Sequence, residues 1–146
     1  MADVASLDRI DIATLVPHQG AMCLWQRVLD FDAASVRVAT ISHRDALNPL
    51  RSDGVLRAIH LCEYGAQAMA VHGGLLAREG ATPRAGFLVA LRGVQIQRAR
   101  IDDLPGELVG HAELLMQSDT SQQYAFRIEH AGMLIAEGRA AVMLQG

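Results

Sequence analysis

From Val55 to Gly74 the chain reads VLRAIHLCEYGAQAMAVHGG, and apolar positions recur there at a helical period. Val55, Ile59, Cys62, Ala66, Met69 and Gly73 fall on one stripe, and Ala58, Leu61, Gly65, Ala68 and Val71 fill much of the remaining circumference. The pattern predicts a buried helix from Val55 to about Ala77, roughly 30 Å long. Ser52 or Asp53 serves as its N-cap, and Gly73–Gly74 or the run from Gly80 to Pro83 ends it. Its residues are small, so another layer of backbone, such as a curved sheet, can approach closely.

Elsewhere the period is that of strands. Met22 to Phe31 is apolar with polar interruptions, and Ser35 to Ser42 alternates, with Val36, Val38 and Thr40 opposite Arg37, Ala39 and Ile41. Together they predict a hairpin. Strand-like segments follow the helix at Gly86–Ile101, Glu107–Ser118, Gln123–His130 and Met133–Leu144, separated by turn sequences at Asp102–Gly106, Asp119–Ser121 and Ala131–Gly132. Residues 8–16 predict a short helix stopped by Pro17, and His43–Gly54 has the composition of a loop. The order is two strands, one long helix and four strands. That is an α+β arrangement with a mostly antiparallel six-stranded sheet, and 146 residues suit one domain spanning 1–146.

Composition narrows the function classes. All thirteen basic residues are arginines, which removes Schiff-base and lysine-base chemistry. A net charge of −3 and few aromatics argue against nucleic acid as a partner, although a local cluster of arginines could meet an acidic one. No apolar run is long enough to span a membrane, and the N-terminus lacks the basic and apolar regions of a signal peptide, so a cytoplasmic location is expected. Cys23 and Cys62 form no CxxC pair and read as small apolar residues.

The polar exceptions on the helix carry the candidate chemistry. His60, Glu63 and Gln67 recur at i, i+3 and i+7 and so share a face. A carboxylate in the middle of an apolar helix costs several kcal/mol unless it is neutralised or hydrogen-bonded, which makes Glu63 the first candidate. His60 and Glu63 have metal-ligand spacing, but no further His or Cys completes a set, so no metal and no other cofactor is expected. His43, His72, His111 and His130 read as surface or loop residues, and Trp25 and Met69 as core.

Three segments together resemble a known family. Leu15-Val16-Pro17-His18 with Met22-Cys23-Leu24 and Arg27-Val28-Leu29 is similar to the L-L-P-H-R-x-P-M-L-L-x-D-R-V-L opening of the hot-dog β-hydroxyacyl-carrier-protein dehydratases. Glu63-Tyr64-Gly65-Ala66-Gln67-Ala68 resembles that family's E-A-M-A-Q-A, and Gly93-Val94, Arg98 and Pro105-Gly106 sit at the spacing of its G-I…R…P-G segment. The nearest subgroup by these residues is the dehydratase-like proteins of aryl-polyene and related type II fatty acid or polyketide clusters. The resemblance implies a hot-dog fold, in which a curved sheet wraps the helix, and a site formed between two subunits. It also implies dehydration of a 3-hydroxyacyl chain on an acyl carrier protein, by a homodimer or a heterodimer with another hot-dog subunit.

Such a reaction needs a base for the α-proton, an acid for the leaving hydroxyl and donors for the enolate-like oxygen. Glu63 is the candidate acid and His18 the candidate base, and Gln67 can hold the substrate oxygen or orient Glu63. Gln67, His60, Gly86 and Phe87 are the candidate substrate-binding residues. The departures from the family pattern also matter. Pro49 stands where the dehydratases have the histidine of their G-H-F-P segment, fourteen residues before the glutamate; His43 is the nearest upstream histidine; Gly54 lies nine residues before Glu63 rather than five; and Gln26 replaces an aspartate. Two other readings therefore stand beside the dehydratase: a thioesterase on the same fold, and a catalytically silent partner subunit.

Overall fold

The computed structural model describes Leu7, residues 9–82 and residues 85–145. One α-helix packs against a six-stranded antiparallel sheet. The strands are β1 (Arg27–Phe31), β2 (Ser35–Thr40), β3 (Gly86–Ile96), β4 (Leu108–Gln117), β5 (Ser121–His130) and β6 (Met133–Leu144), in the order β1-β2-β4-β5-β6-β3, and α1 (Leu61–Arg78) lies in sequence between β2 and β3. This is the hot-dog arrangement that the sequence resemblance implies. The expected hairpin forms, with Val28 opposite Val38 and Phe31 opposite Val36. Among the described residues no helix is long and apolar enough to cross a membrane.

The helix starts later than its apolar pattern suggests. Ser52 and Val55 pair across a tight turn with Asp53 and Gly54 at positive φ, so neither Ser52 nor Asp53 caps the helix. Residues 56–57 are instead held extended against the segment after β3, with Arg57 bridged to Arg100: Ile101 N donates to Leu56 O and Ala58 N to Ala99 O. Asp102 accepts from Leu56 N at 2.9 Å, and the Arg100 guanidinium beside it holds its carboxyl well below the usual carboxylate range. A single 3-10 turn, Ala58–His60, then leads into α1, whose 18 residues span about 27 Å. The tertiary pairing of residues 55–57 wins over local helical periodicity.

Gly73 and Gly74 do not end α1, which runs on to Arg78. Gly74 is there for contact, because a Cβ would come within 2.5 Å of the Leu15 carbonyl oxygen. Pro83 lies outside the described residues.

Several other elements are shorter than expected, while β5 is longer, starting at Ser121 rather than Gln123. Of the helix expected over residues 8–16, the described part forms one 3-10 turn, Ile12–Thr14, capped by the Asp11 carboxylate accepting from Ala13 N. Met22 closes another 3-10 turn, which leaves only Arg27–Phe31 as strand, and β3 ends at Ile96 rather than Ile101.

The buried face of α1 is Leu61, Tyr64, Gly65, Ala68, Val71 and Leu75, packed on Phe126, Tyr124 and the β2–β4 strands. The stripe named from the sequence is the less buried one: Ile59 is 59% exposed, Gly73 is exposed, and Cys62 and Ala66 are half-buried. Trp25 and Met69 do lie in the core. His43 and His72 also lie there, fully buried rather than at the surface: His43 bonds the Leu104 carbonyl, and His72 bridges the Asp32 carbonyl to Tyr124 Oη. Burial pushes both imidazoles below their ordinary pKa.

Candidate active site

The segment from Cys23 to Gln26 lies in no helix or strand, and beside the backbone bonds of Cys23 N to Gly20 O and Gln26 N to Ala39 O it is held by side chains. Leu24 O accepts from both Thr40 Oγ1 (2.6 Å) and Ser42 Oγ (2.7 Å), Trp25 Nε1 donates to Tyr64 O (2.7 Å), and Ile41 N donates to Gln26 Oε1 (2.9 Å). Gln26, in place of the family's aspartate, thus serves the backbone through its amide oxygen. Trp25 stacks edge-on against Tyr64 with ring centroids 5.5 Å apart, while Tyr64 Oη is held by Ser42 and Asn48. These contacts fix the segment that follows His18 against the first two turns of α1.

Gln67 is the buried centre of this junction, 1% exposed. Its Oε1 accepts from Leu24 N at 2.9 Å, and its Nε2 donates to Met22 O at 2.8 Å and to Glu63 Oε1 at 3.1 Å. Both N–H groups of the amide are therefore committed, and the residue orients Glu63. The same Glu63 Oε1 faces His18 Nε2 at 3.5 Å, with the two side chains 37% and 29% exposed. The deep burial expected for Glu63 is not met, because it stands on the half-exposed side of α1 with Cys62 and Ala66. His18 Nδ1 is covered and has no partner among the described residues, so only Nε2 is available for chemistry.

Three of the residues named from the sequence, His18, Glu63 and Gln67, therefore form one cluster. His60 sits one turn before Glu63 at the N-cap of α1, half-buried, and its side chain makes no capping bond. Among the described residues no group of three His, Cys, Asp or Glu side chains is placed to share a metal ion. Gly86 and Phe87 lie outside the cluster at the start of β3, an edge strand with only β6 beside it; Phe87 is 52% exposed. The sequence reading missed the supporting shell of Thr40, Ser42, Asn48 and Tyr64. These residue types carry no site signal until folding brings them beside Leu24.

A model of the ApeP dehydratase (ApeP-like) family matches residues 10–145. The chain belongs to that family. Several solved structures share its fold. The dehydratase heterocomplex ApeI:P from Xenorhabdus doucetiae has a chain that superposes with a TM-score of 0.81 at 23% identity, covering 94% of this chain and 92% of the other. An HP0420 homologue from Helicobacter felis gives 0.66 at 14% identity, with 99% and 93% covered. A hypothetical thioesterase from Streptococcus pneumoniae TIGR4 gives 0.61 at 15%, with 82% and 88% covered. No curated protein matches the chain. Both elements that build the candidate site, the segment around His18 and α1, fall inside the region matched by the ApeP-like model.

Proposed function

We propose that this ApeP-like chain dehydrates a 3-hydroxyacyl thioester carried on an acyl carrier protein, with His18 as base and Glu63 as acid. The observation that carries the reading is the 3.5 Å approach of His18 Nε2 to Glu63 Oε1, with Glu63 held from behind by Gln67. Groups this close can both reach one bound thioester. His18 Nε2 takes the α-proton, the C–H electrons form the C2–C3 double bond, and the C3–O bond breaks as Glu63 gives its proton to the hydroxyl, which leaves as water. The step ends with an imidazolium beside a carboxylate. One proton passing from Nε2 to Oε1 across the same contact restores both groups, so the pair resets without solvent.

A second reading is favoured by the position of Pro49 and by the free edge of β3. That strand exposes Phe87, Leu88, Val89 and Leu91, which suits pairing with another hot-dog subunit, and one structure of the same fold is a dehydratase heterocomplex. On that reading this chain completes a site whose histidine comes from a different subunit.

The deciding experiment follows turnover of a 3-hydroxyacyl carrier protein by mass spectrometry, with the chain alone and with a second hot-dog subunit. The self-sufficient dehydratase predicts enoyl product from the chain alone, lost in Glu63→Gln and reduced about 10² to 10⁴-fold in His18→Ala. Because Glu63 is more than one-third exposed, Glu63→Gln should leave stability nearly unchanged. Product only in the presence of the second subunit supports the partner reading, and release of free acid instead of enoyl thioester would make the chain a thioesterase.

A further inference from the structure

The sheet has a second face, turned away from α1. Phe126 packs against Gly65 of the helix and Tyr124 Oη bonds His72, so by strand alternation Gln123, Ala125 and Arg127 point to the other side. Register brings further arginines to that side. Arg139 of β6 is directly opposite Ala125 on one flank and Arg92 of β3 on the other, while Arg127 is opposite Glu137 and so diagonal to Arg139. A groove of about 490 Å³ opens there, lined by Arg92, Arg127, Arg139, Gln123 and Glu137 together with the backbone around Gly93. Gly93 has a φ of 60° within a bulge between Arg92 and Gln95, a local kink of the kind that re-aims neighbouring side chains.

The positive charge of this groove is only partly compensated. Cross-strand arginines repel, and among the described residues no carboxylate lies within ion-pair distance of Arg92, Arg127 or Arg139. Arg127 instead donates to His111 Nδ1 at 3.4 Å, and burial followed by the neighbouring Arg127 pushes that imidazole below its ordinary pKa, which favours the neutral ring that accepts this bond. Among the residues that line the groove three guanidiniums thus face one carboxylate, Glu137, with Glu113 next on the same face opposite Ala125, in a chain whose net charge is −3. Pairing of β3 with another strand edge to edge would leave this face open.

We propose that this groove is a phosphate-binding site, with a ligand's phosphate seated between Arg92 and Arg139 and completed by Arg127 and Gln123. Guanidinium forks match phosphate oxygens two at a time. Three of them offer more donors than the two oxygens of a carboxylate can use, whereas a phosphate presents three terminal oxygens. The site lies on the opposite side of the sheet from His18 and Glu63 and does not depend on their chemistry.

Isothermal titration of the full chain with pyrophosphate, inorganic phosphate, coenzyme A and acetate tests it. The expected result is saturable binding of the phosphate probes that weakens with added salt, little with acetate, and a loss of at least about tenfold in affinity for either Arg92→Gln or Arg139→Gln. Tighter binding of coenzyme A than of pyrophosphate would identify the phosphate as part of a nucleotide-type ligand, and equal binding would identify a free phosphate or pyrophosphate; both support the site. Without ligand, Arg139→Gln should unfold at the same or a higher temperature than the wild type, because it relieves repulsion. The proposal is overturned if no phosphate probe binds up to about 10 mM, a range in which a functional site should register. It is equally overturned if acetate binds as well as phosphate, or if folded Arg92→Gln and Arg139→Gln bind like the wild type.

Discussion

Gln67 is where fold and site depend on the same atoms, and two substitutions there separate its contributions. Gln67→Leu keeps approximate volume but removes three hydrogen bonds and leaves Leu24 N and Met22 O without partners beside a residue that is 1% exposed. Each orphaned buried group costs roughly 1–3 kcal/mol, and the leucine recovers part of this as apolar burial, for a net loss of about 2–4 kcal/mol. In a chain of 146 residues that is a fall in Tm of about 6–12 °C. Gln67→Glu keeps the acceptor for Leu24 N but places a buried carboxyl against Met22 O and the Glu63 carboxylate.

The introduced acid is stable only when protonated, so its folded pKa lies above its unfolded value of about 4.3. The folded state then binds more protons than the unfolded, and the penalty grows as pH rises above that value. Thermal unfolding followed by circular dichroism between pH 5 and 8 should therefore show Gln67→Glu losing Tm with increasing pH relative to the wild type, and Gln67→Leu offset by a nearly constant amount. A Tm loss under about 2 °C in Gln67→Leu would mean that these bonds do not hold the His18 segment to the helix, and the positioning of Glu63 would need another cause.

Other outcomes follow from the packing. His43 and His72, lowered by burial, bind fewer protons folded than unfolded, so wild-type stability should be complete above about pH 6.5 and fall as pH drops below it, by at most about 2 kcal/mol for each at pH 5. A Tm that stays flat over that range would contradict the buried, neutral imidazoles. Gly65→Ala would bring a methyl within 2.5 Å of the buried Phe126 ring; chemical denaturation should show a net loss of about 1–2 kcal/mol despite the better helix former. Tyr124→Phe leaves His72 Nδ1 without its donor and should cost about 1–2 kcal/mol in the same assay. Sedimentation at micromolar concentration should find the chain at least dimeric through β3, and a stable monomer would mean that its free edge awaits a different chain.

The elements of this protein were legible where one local rule decides the matter. Alternation marked Val36, Val38 and Thr40 as buried, though Ala39 is buried with them, and the Ala131–Gly132 turn set the end of β5 and the start of β6, with β6 spanning Met133–Leu144 as its pattern indicated, whereas β5 starts at Ser121, inside the expected turn. The Glu63–Gln67 relation was legible for the same reason, since residues four apart on a helix are neighbours whatever surrounds them. Long-range competition decided the rest. Residues 55–57 have a helical apolar pattern but gain more from pairing with Ala99 and Ile101, and which side of α1 is covered depends on where Phe126 and Tyr124 arrive from β5. The approach of His18 to Glu63 closes 45 residues of chain through the bonds of Gln67 to Met22 and Leu24, and the facing of Arg92 with Arg139 is set by the register of β3 on β6. Side-chain periodicity describes one segment at a time; contacts across tens of residues exist only once loop-closure entropy has been overcome by the whole core at once, so the charge and hydrogen-bond geometry of both sites belongs to the tertiary structure.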